Sequence, residues 1–112
     1  MDISDVVIQR ADIRHFNYQA GHSLQIELIS GPIDTEHGRV ARTYLLTFEG
    51  IKRVKMELDS NPWLEILEFH IESTGGYKFV MDEGILEVSC DASRAELLEE
   101  LPCVKPKGQT EG

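Results

Sequence analysis

Five stretches of this chain alternate apolar and polar residues one by one, and that period of two is the strongest constraint on its fold. Leu24, Ile26 and Leu28 alternate with Gln25 and Glu27, and Tyr44, Leu46 and Phe48 oppose Thr43 and Thr47. Leu67, Phe69 and Ile71 alternate with Glu68, His70 and Glu72. Tyr77, Phe79 and Met81 flank Lys78 and Val80, and Leu86, Val88 and Cys90 flank Glu87 and Ser89. Side chains on a strand point to opposite faces in turn, so each stretch predicts an antiparallel strand with one buried face. The stretch 6–16 is rich in β-branched residues but alternates less cleanly. The stretch 50–58 fits both strand and helix spacing, and its Val54, Met56 and Leu58 favour strand.

The connections predict a meander. Ser73-Thr74-Gly75-Gly76 and Asp82-Glu83-Gly84 carry the residues that hairpin turns use. The stretch 30–38, with Gly31, Pro32 and Gly38, reads as a longer exposed loop. Asn61-Pro62 resembles a helix start, so Trp63, Leu64 and Ile66 would form one helical turn. Ser93 with Glu96 fits a capping box. Leu97, Leu98 and Leu101 would then share one helix side opposite Glu96, Glu99 and Glu100, with Pro102 closing the helix. The expected fold is α+β, a single domain over residues 1–104. It is a curved antiparallel meander of about six strands with a short C-terminal helix packed on it. Residues 105–112 hold no apolar side chain and read as a mobile C-terminal tail.

Composition narrows the function. At 112 residues, 41% hydrophobic and 28% charged, the chain can bury one core without disulfides or metal. Its wholly aliphatic runs, such as Val6-Val7-Ile8, are far shorter than the roughly 20 residues of a spanning helix, so we expect no membrane role. The acidic start, Met1-Asp2-Ile3-Ser4-Asp5, predicts no secretory signal. Two cysteines are too few for a disulfide scaffold, which makes the reducing cytoplasm the expected compartment.

The net charge of -9 disfavours binding to nucleic acid. Residues 1–55 hold seven acids and seven Lys or Arg, whereas residues 56–104 hold twelve acids against Lys78 and Arg94. The acidic half is either a solubility device or a surface for a basic protein partner. Glu68, His70 and Glu72 would share the solvent face of one strand, with Glu87 on a strand nearby. Trp63 stands at a corner, as a core cap or as an interface anchor. These five residues are the candidate protein-binding site. Lys52, Arg53 and Lys55 are the one dense basic stretch. They either guard a strand edge or face the acidic half of a second copy.

Signs of chemistry are few. The histidines, His15, His22, His37 and His70, show no zinc spacing. Asp34, Glu36 and His37 read as solvated turn residues, and no metal or cofactor is expected. Cys90 reads as a buried thiol and Cys103 as an exposed one, with no basic cluster nearby to activate either. Asp12 and His15 would point to opposite faces of a strand, which argues against an acid–base pair. No phosphate loop or nucleophile elbow is present, so no catalytic residue is assigned.

The segment Leu45-Leu46-Thr47-Phe48-Glu49-Gly50-Ile51, the Trp63 corner and the run Ile85-Leu86-Glu87-Val88-Ser89-Cys90 carry one resemblance. They are similar to small uncharacterised bacterial domains of mainly antiparallel β structure, some grouped with immunity proteins of toxin systems. The resemblance implies a non-enzymatic, stoichiometric binder that blocks a basic toxin, and it brings no catalytic motif. Two other classes stay open. One is a small-molecule-binding or enzymatic domain with a pocket inside the curved sheet, and the other is a homo-oligomer joined through sheet edges.

Overall fold

Each of the five alternating stretches falls on a β-strand in the computed structural model, which describes residues 2–6, 8, 10–19, 22–36, 38–58, 65–72, 75–82 and 84–103. Trp63 and Leu64 of the expected turn, His37 and the tail 105–112 lie outside the described residues, whereas Ile66 of that turn is the first residue of a strand. The strands are β1 (Asp12–Gln19), β2 (Ser23–Thr35), β3 (Gly38–Leu58), β4 (Ile66–Ile71), β5 (Gly76–Met81) and β6 (Gly84–Pro102). They form one antiparallel sheet in the order β1-β2-β3-β6-β5-β4. The chain thus makes two three-strand meanders, and β3 pairs with β6 rather than with β4.

The long β3–β6 ribbon runs from Val40 opposite Pro102 to Leu58 opposite Gly84. Buried residues change parity along it at the bend. On β3, Tyr44, Leu46 and Phe48 are buried before Gly50 and Ile51 packs on the core after it, while the register shift between Ile51 and Arg53 restores the first parity at Val54. On β6 the switch falls between Cys90 and Ala95. Gly50 adopts φ 66°, a conformation that costs a side-chain-bearing residue roughly 1–2 kcal/mol. The ribbon therefore bends at Gly50, and one pair of strands contributes to two halves of the sheet.

The halves face each other across the core. In one, register sets Phe16, Ile26, Leu46 and Ala95 side by side. In the other it sets Phe69, Phe79, Leu86 and Met56 in a row. Phe48 joins the two, with its ring 5.2 Å from that of Tyr77 and 6.2 Å from that of Phe79. The Phe48–Phe79 pair is edge-to-face, the arrangement the ring quadrupoles favour. Full burial of each such side chain contributes roughly 1.5–3 kcal/mol against chain entropy. The sheet stays open, yet its two outer strands touch at one corner. There the Arg10 N–H donates to the Ile66 carbonyl at 2.6 Å and the Ile66 N–H to the Ala11 carbonyl at 2.8 Å.

The expected C-terminal helix is absent, and the fold is mostly β rather than α+β. Residues 93–101 continue β6 and pair with β3. A capping box and a leucine pattern are local preferences, and an isolated helix of two or three turns is marginal in water. Pairing with β3 satisfies the same backbone groups and gains cross-strand contacts. The adjacent leucines mark a β-bulge. Leu97 opposes Tyr44 and Glu99 opposes Thr43, which leaves Leu98 as the extra residue between them. Leu97, Leu98 and Leu101 are 43%, 44% and 53% exposed, so none is a core residue.

Two further expectations change. The stretch 30–38 is not a long loop, because β2 continues to Thr35 and β3 starts at Gly38. Pro32 is accommodated because register skips from Ser30 opposite Arg42 to Ile33 opposite Val40, so Pro32 owes no ladder hydrogen bond. The stretch 6–16 becomes strand only from Asp12. Before it, a 3₁₀ turn over Ile3–Asp5 is capped by Asp2, whose carboxylate accepts from the Ser4 N–H at 3.1 Å. Ile3, Val6, Ile8 and Ala11 are buried and extend the core.

Candidate functional site

Alternation fixes what the outward face of β4, β5, β6 and the second half of β3 presents. Phe69, Phe79 and Leu86 point inward, so their neighbours point out. Register then sets His70, Lys78, Glu87 and Lys55 in one row across the four strands. The next row includes Gly76, Ser89 and Arg53. Glu72 joins this second row from the end of β4, where its N–H donates to the Gly76 carbonyl at 2.8 Å. On the other side of the His70 row, Glu68, Val80, Ile85 and Glu57 complete the face.

Four of the five expected binding residues therefore share one face. Glu68 and His70 are directly joined, with His70 Nε2 3.0 Å from Glu68 Oε1. Glu72 and Glu87 both line an open depression of about 250 Å³, together with Arg53, Gly76, Tyr77, Val88 and Ser89. The Glu72 side chain lies over Gly76, 3.6 Å from where a Cβ there would stand. The fifth residue, Trp63, lies outside the described residues.

The face is not uniformly acidic. Lys78 stands between His70 and Glu87, with its Nζ 4.0 Å from Glu87 Oε1. Lys55 borders Glu87 from the other side and also pairs with Glu57 at 3.5 Å. Carboxylates thus alternate with Arg53, Lys55 and Lys78, and the basic stretch of β3 meets acidic residues of its own chain. These pairs are exposed and individually worth only about 0–1 kcal/mol. The denser acidic run lies further along β6, where Asp91, Glu96, Glu99 and Glu100 accompany Arg94. Arg94 is tied to Glu49, and Lys52 Nζ sits 3.0 Å from Asp91 Oδ1. Glu100 bonds Arg42 at 2.7 Å, and this hydrogen bond holds the guanidinium pKa above its ordinary value.

Arg53, Lys78, Tyr77 and Ser89 had no place in the expected site. Lys78 was legible from the alternation of β5. Arg53 was not, because a register shift between Ile51 and Arg53 decides which β3 residues reach this face.

Elsewhere the polar groups are structural. Asp34 pairs with Arg39 at 2.9 Å across the β2–β3 hairpin. Among the described residues, no three His, Cys, Asp or Glu side chains gather as a metal set. Asp12 and His15 share the outward face, contrary to expectation, because a bulge at Arg14 restores the phase between them. His15 then lies opposite Glu27. The concave side of the sheet is filled by Phe48, Phe79, Leu24, Ile26 and Leu86, so open space lies on the outer face. No helix among the described residues is long and apolar enough to cross a membrane. The chain matches no protein-family model, no curated protein and no solved structure.

Proposed function

We propose that this chain is a non-enzymatic binding protein of the cytoplasm that engages a basic protein partner, in the manner of an immunity protein blocking a toxin. One observation carries the reading: Glu72 and Glu87 converge on the depression above Gly76 and beside Tyr77. An arginine or lysine side chain of the partner fits such a place, with two carboxylates for its charge. Arg53 on the rim leaves the empty site partly neutralised, so the carboxylates bear no large repulsion before the partner arrives. The acidic run of β6 adds a long-range field that speeds encounter with a basic surface.

The test uses the purified products of the genes adjacent to the one encoding this chain, immobilised in turn on a biosensor. One of them should bind, with an association rate that falls steeply as salt rises and a dissociation rate that changes less. Glu72→Gln with Glu87→Gln should slow association or speed dissociation at least about tenfold, with the unfolding midpoint unchanged. Binding indifferent to both salt and the double replacement would refute the acidic-site reading.

A further inference from the structure

Each side of the β3–β6 ribbon is covered along only part of its length. β2 pairs with β3 over 38–49, and β5 pairs with β6 over 84–89. Among the described residues, no strand pairs with the outer side of β3 over 51–58 or of β6 over 91–102. Two strand edges therefore have no partner strand among the described residues, at opposite ends of the ribbon and on opposite sides of it. The β6 edge extends roughly 40 Å at about 3.4 Å per residue.

The two edges carry opposite charge. Residues 51–58 hold Lys52, Arg53 and Lys55 against Glu57. Residues 91–102 hold Asp91, Glu96, Glu99 and Glu100 against Arg94. Arg94 is bound to Glu49, Asp91 to Lys52 and Glu100 to Arg42, which leaves Glu96 and Glu99 as the carboxylates changed in the test below. Both edges also expose apolar side chains. Met56 is 42% exposed on the first, and Leu97, Leu98 and Leu101 are about half exposed on the second.

We propose that this chain self-associates by pairing unlike edges, the acidic β6 edge of one copy adding as a strand to the basic β3 edge of a second copy. An open edge offers a row of unpaired N–H and C=O groups that another strand can satisfy. Pairing like edges would set acid against acid or base against base. Pairing unlike edges sets Lys52, Arg53 and Lys55 against the β6 carboxylates and covers Met56 and the leucines. The charges thus disfavour two of the three combinations and favour the third. The existing pairs Lys52–Asp91 and Lys55–Glu57 are exposed on both sides, so exchanging them across an interface costs little. Because the two surfaces differ, the contact is heterologous and leads to a ring or a chain of copies. This assembly needs no other protein, although its β3 edge adjoins the partner site through Arg53 and Lys55.

Sedimentation of the full chain tests it. The mass should rise with concentration above that of one chain, and association should weaken at least about tenfold between about 0.05 M and 0.5 M salt. Two variants then separate the edges: Glu96→Lys with Glu99→Lys, and Lys52→Glu with Lys55→Glu. Each alone should be monomeric, since its two edges now share one sign, and an equal mixture of the two should associate again. Circular dichroism and the unfolding midpoint identify a variant that fails to fold, and the salt response of the unaltered chain then decides alone. A chain monomeric up to about 1 mM would overturn the proposal. So would association that salt leaves unchanged, a mixture of folded variants that stays monomeric, or a β3-edge variant that associates like the unaltered chain.

Discussion

Gly50 and Asp91 lie opposite each other where the β3–β6 ribbon bends, and the Asp91 side chain occupies the space a Cβ on Gly50 would take. That Cβ would stand 2.5 Å from Asp91 Oδ2 and 2.8 Å from Asp91 Cβ. The aspartate is held there by Lys52, 3.0 Å away. The bend thus depends on two features of one residue, its positive φ and its missing side chain. It accompanies the change of buried parity between Cys90 and Ala95 on β6, and Phe48 beside it meets Tyr77 and Phe79.

Gly50→Ala should therefore destabilise the fold by about 2–4 kcal/mol, from backbone strain of roughly 1–2 kcal/mol plus displacement of Asp91. Asp91→Ala alone should cost less than about 1 kcal/mol, because it removes only an exposed ion pair. Asp91 Cβ remains in that variant, so the double replacement should recover part of the loss and not all of it. Urea unfolding measures all three, and a Gly50→Ala protein as stable as the parent would show that the bend does not depend on the glycine.

The bulge at Leu98 separates a strand from a helix by a simple comparison. Leu98→Ala should cost less than about 1 kcal/mol, since the side chain is 44% exposed. Leu86→Ala, at a fully buried position of the same strand, should cost about 2–5 kcal/mol. Equal losses at the two sites would mean that residues 93–101 dock a leucine face, as a helix would.

What was legible in the sequence follows one physical line. Where one face is buried and the other wet, alternation is written into the residues, as in 24–28, 77–81 and 86–90. Hence the strands, the core and the shared face of Glu68, His70 and Glu87 could all be read. Residues 93–101 lie on a part of β6 with an open edge, where burial no longer imposes a period. The leucine spacing there imitated a helix, and only pairing with β3 decides it. The bulges at Leu98, Arg14 and Lys52 have no local signature either, because a skipped partner belongs to two strands at once. The placement of Arg53 beside Glu72 and Glu87, and of His15 on the same face as Asp12, depends on those skips.

Tyr77 and Ser93 tie the two halves of the sheet together. Their hydroxyl oxygens are 2.6 Å apart, and the tyrosine ring also packs on Phe48 and Phe69. Tyr77→Phe keeps the ring contacts and should cost about 0.5–1.5 kcal/mol. Ser93→Ala should cost a similar amount, and the double variant should cost little more than either one. Strict additivity of the two losses would show that the hydroxyls do not share a hydrogen bond.

The two cysteines should respond in opposite ways to a thiol reagent. Cys90 points into the core opposite Ile51 and is 8% exposed, whereas Cys103 is exposed just past the end of β6. Burial pushes the Cys90 thiol pKa up, with the Asp91 charge adding to the effect and a hydrogen bond from the Ala92 backbone opposing it. In the folded protein near pH 8, one thiol per chain should therefore react quickly, and the second only on unfolding. The same shift gives a sign for alkaline stability. An unfolded chain releases the Cys90 proton near the ordinary thiol value of about 8.5, while the folded chain holds it. Above that pH the unfolded state binds fewer protons, so the contribution of Cys90, complete at lower pH, declines as pH rises toward the folded value. Cys90→Ala should be less stable at neutral pH through its lost packing and should lack this alkaline decline. Two thiols reacting at one rate in the folded protein, or equal alkaline slopes for parent and variant, would count against a buried Cys90.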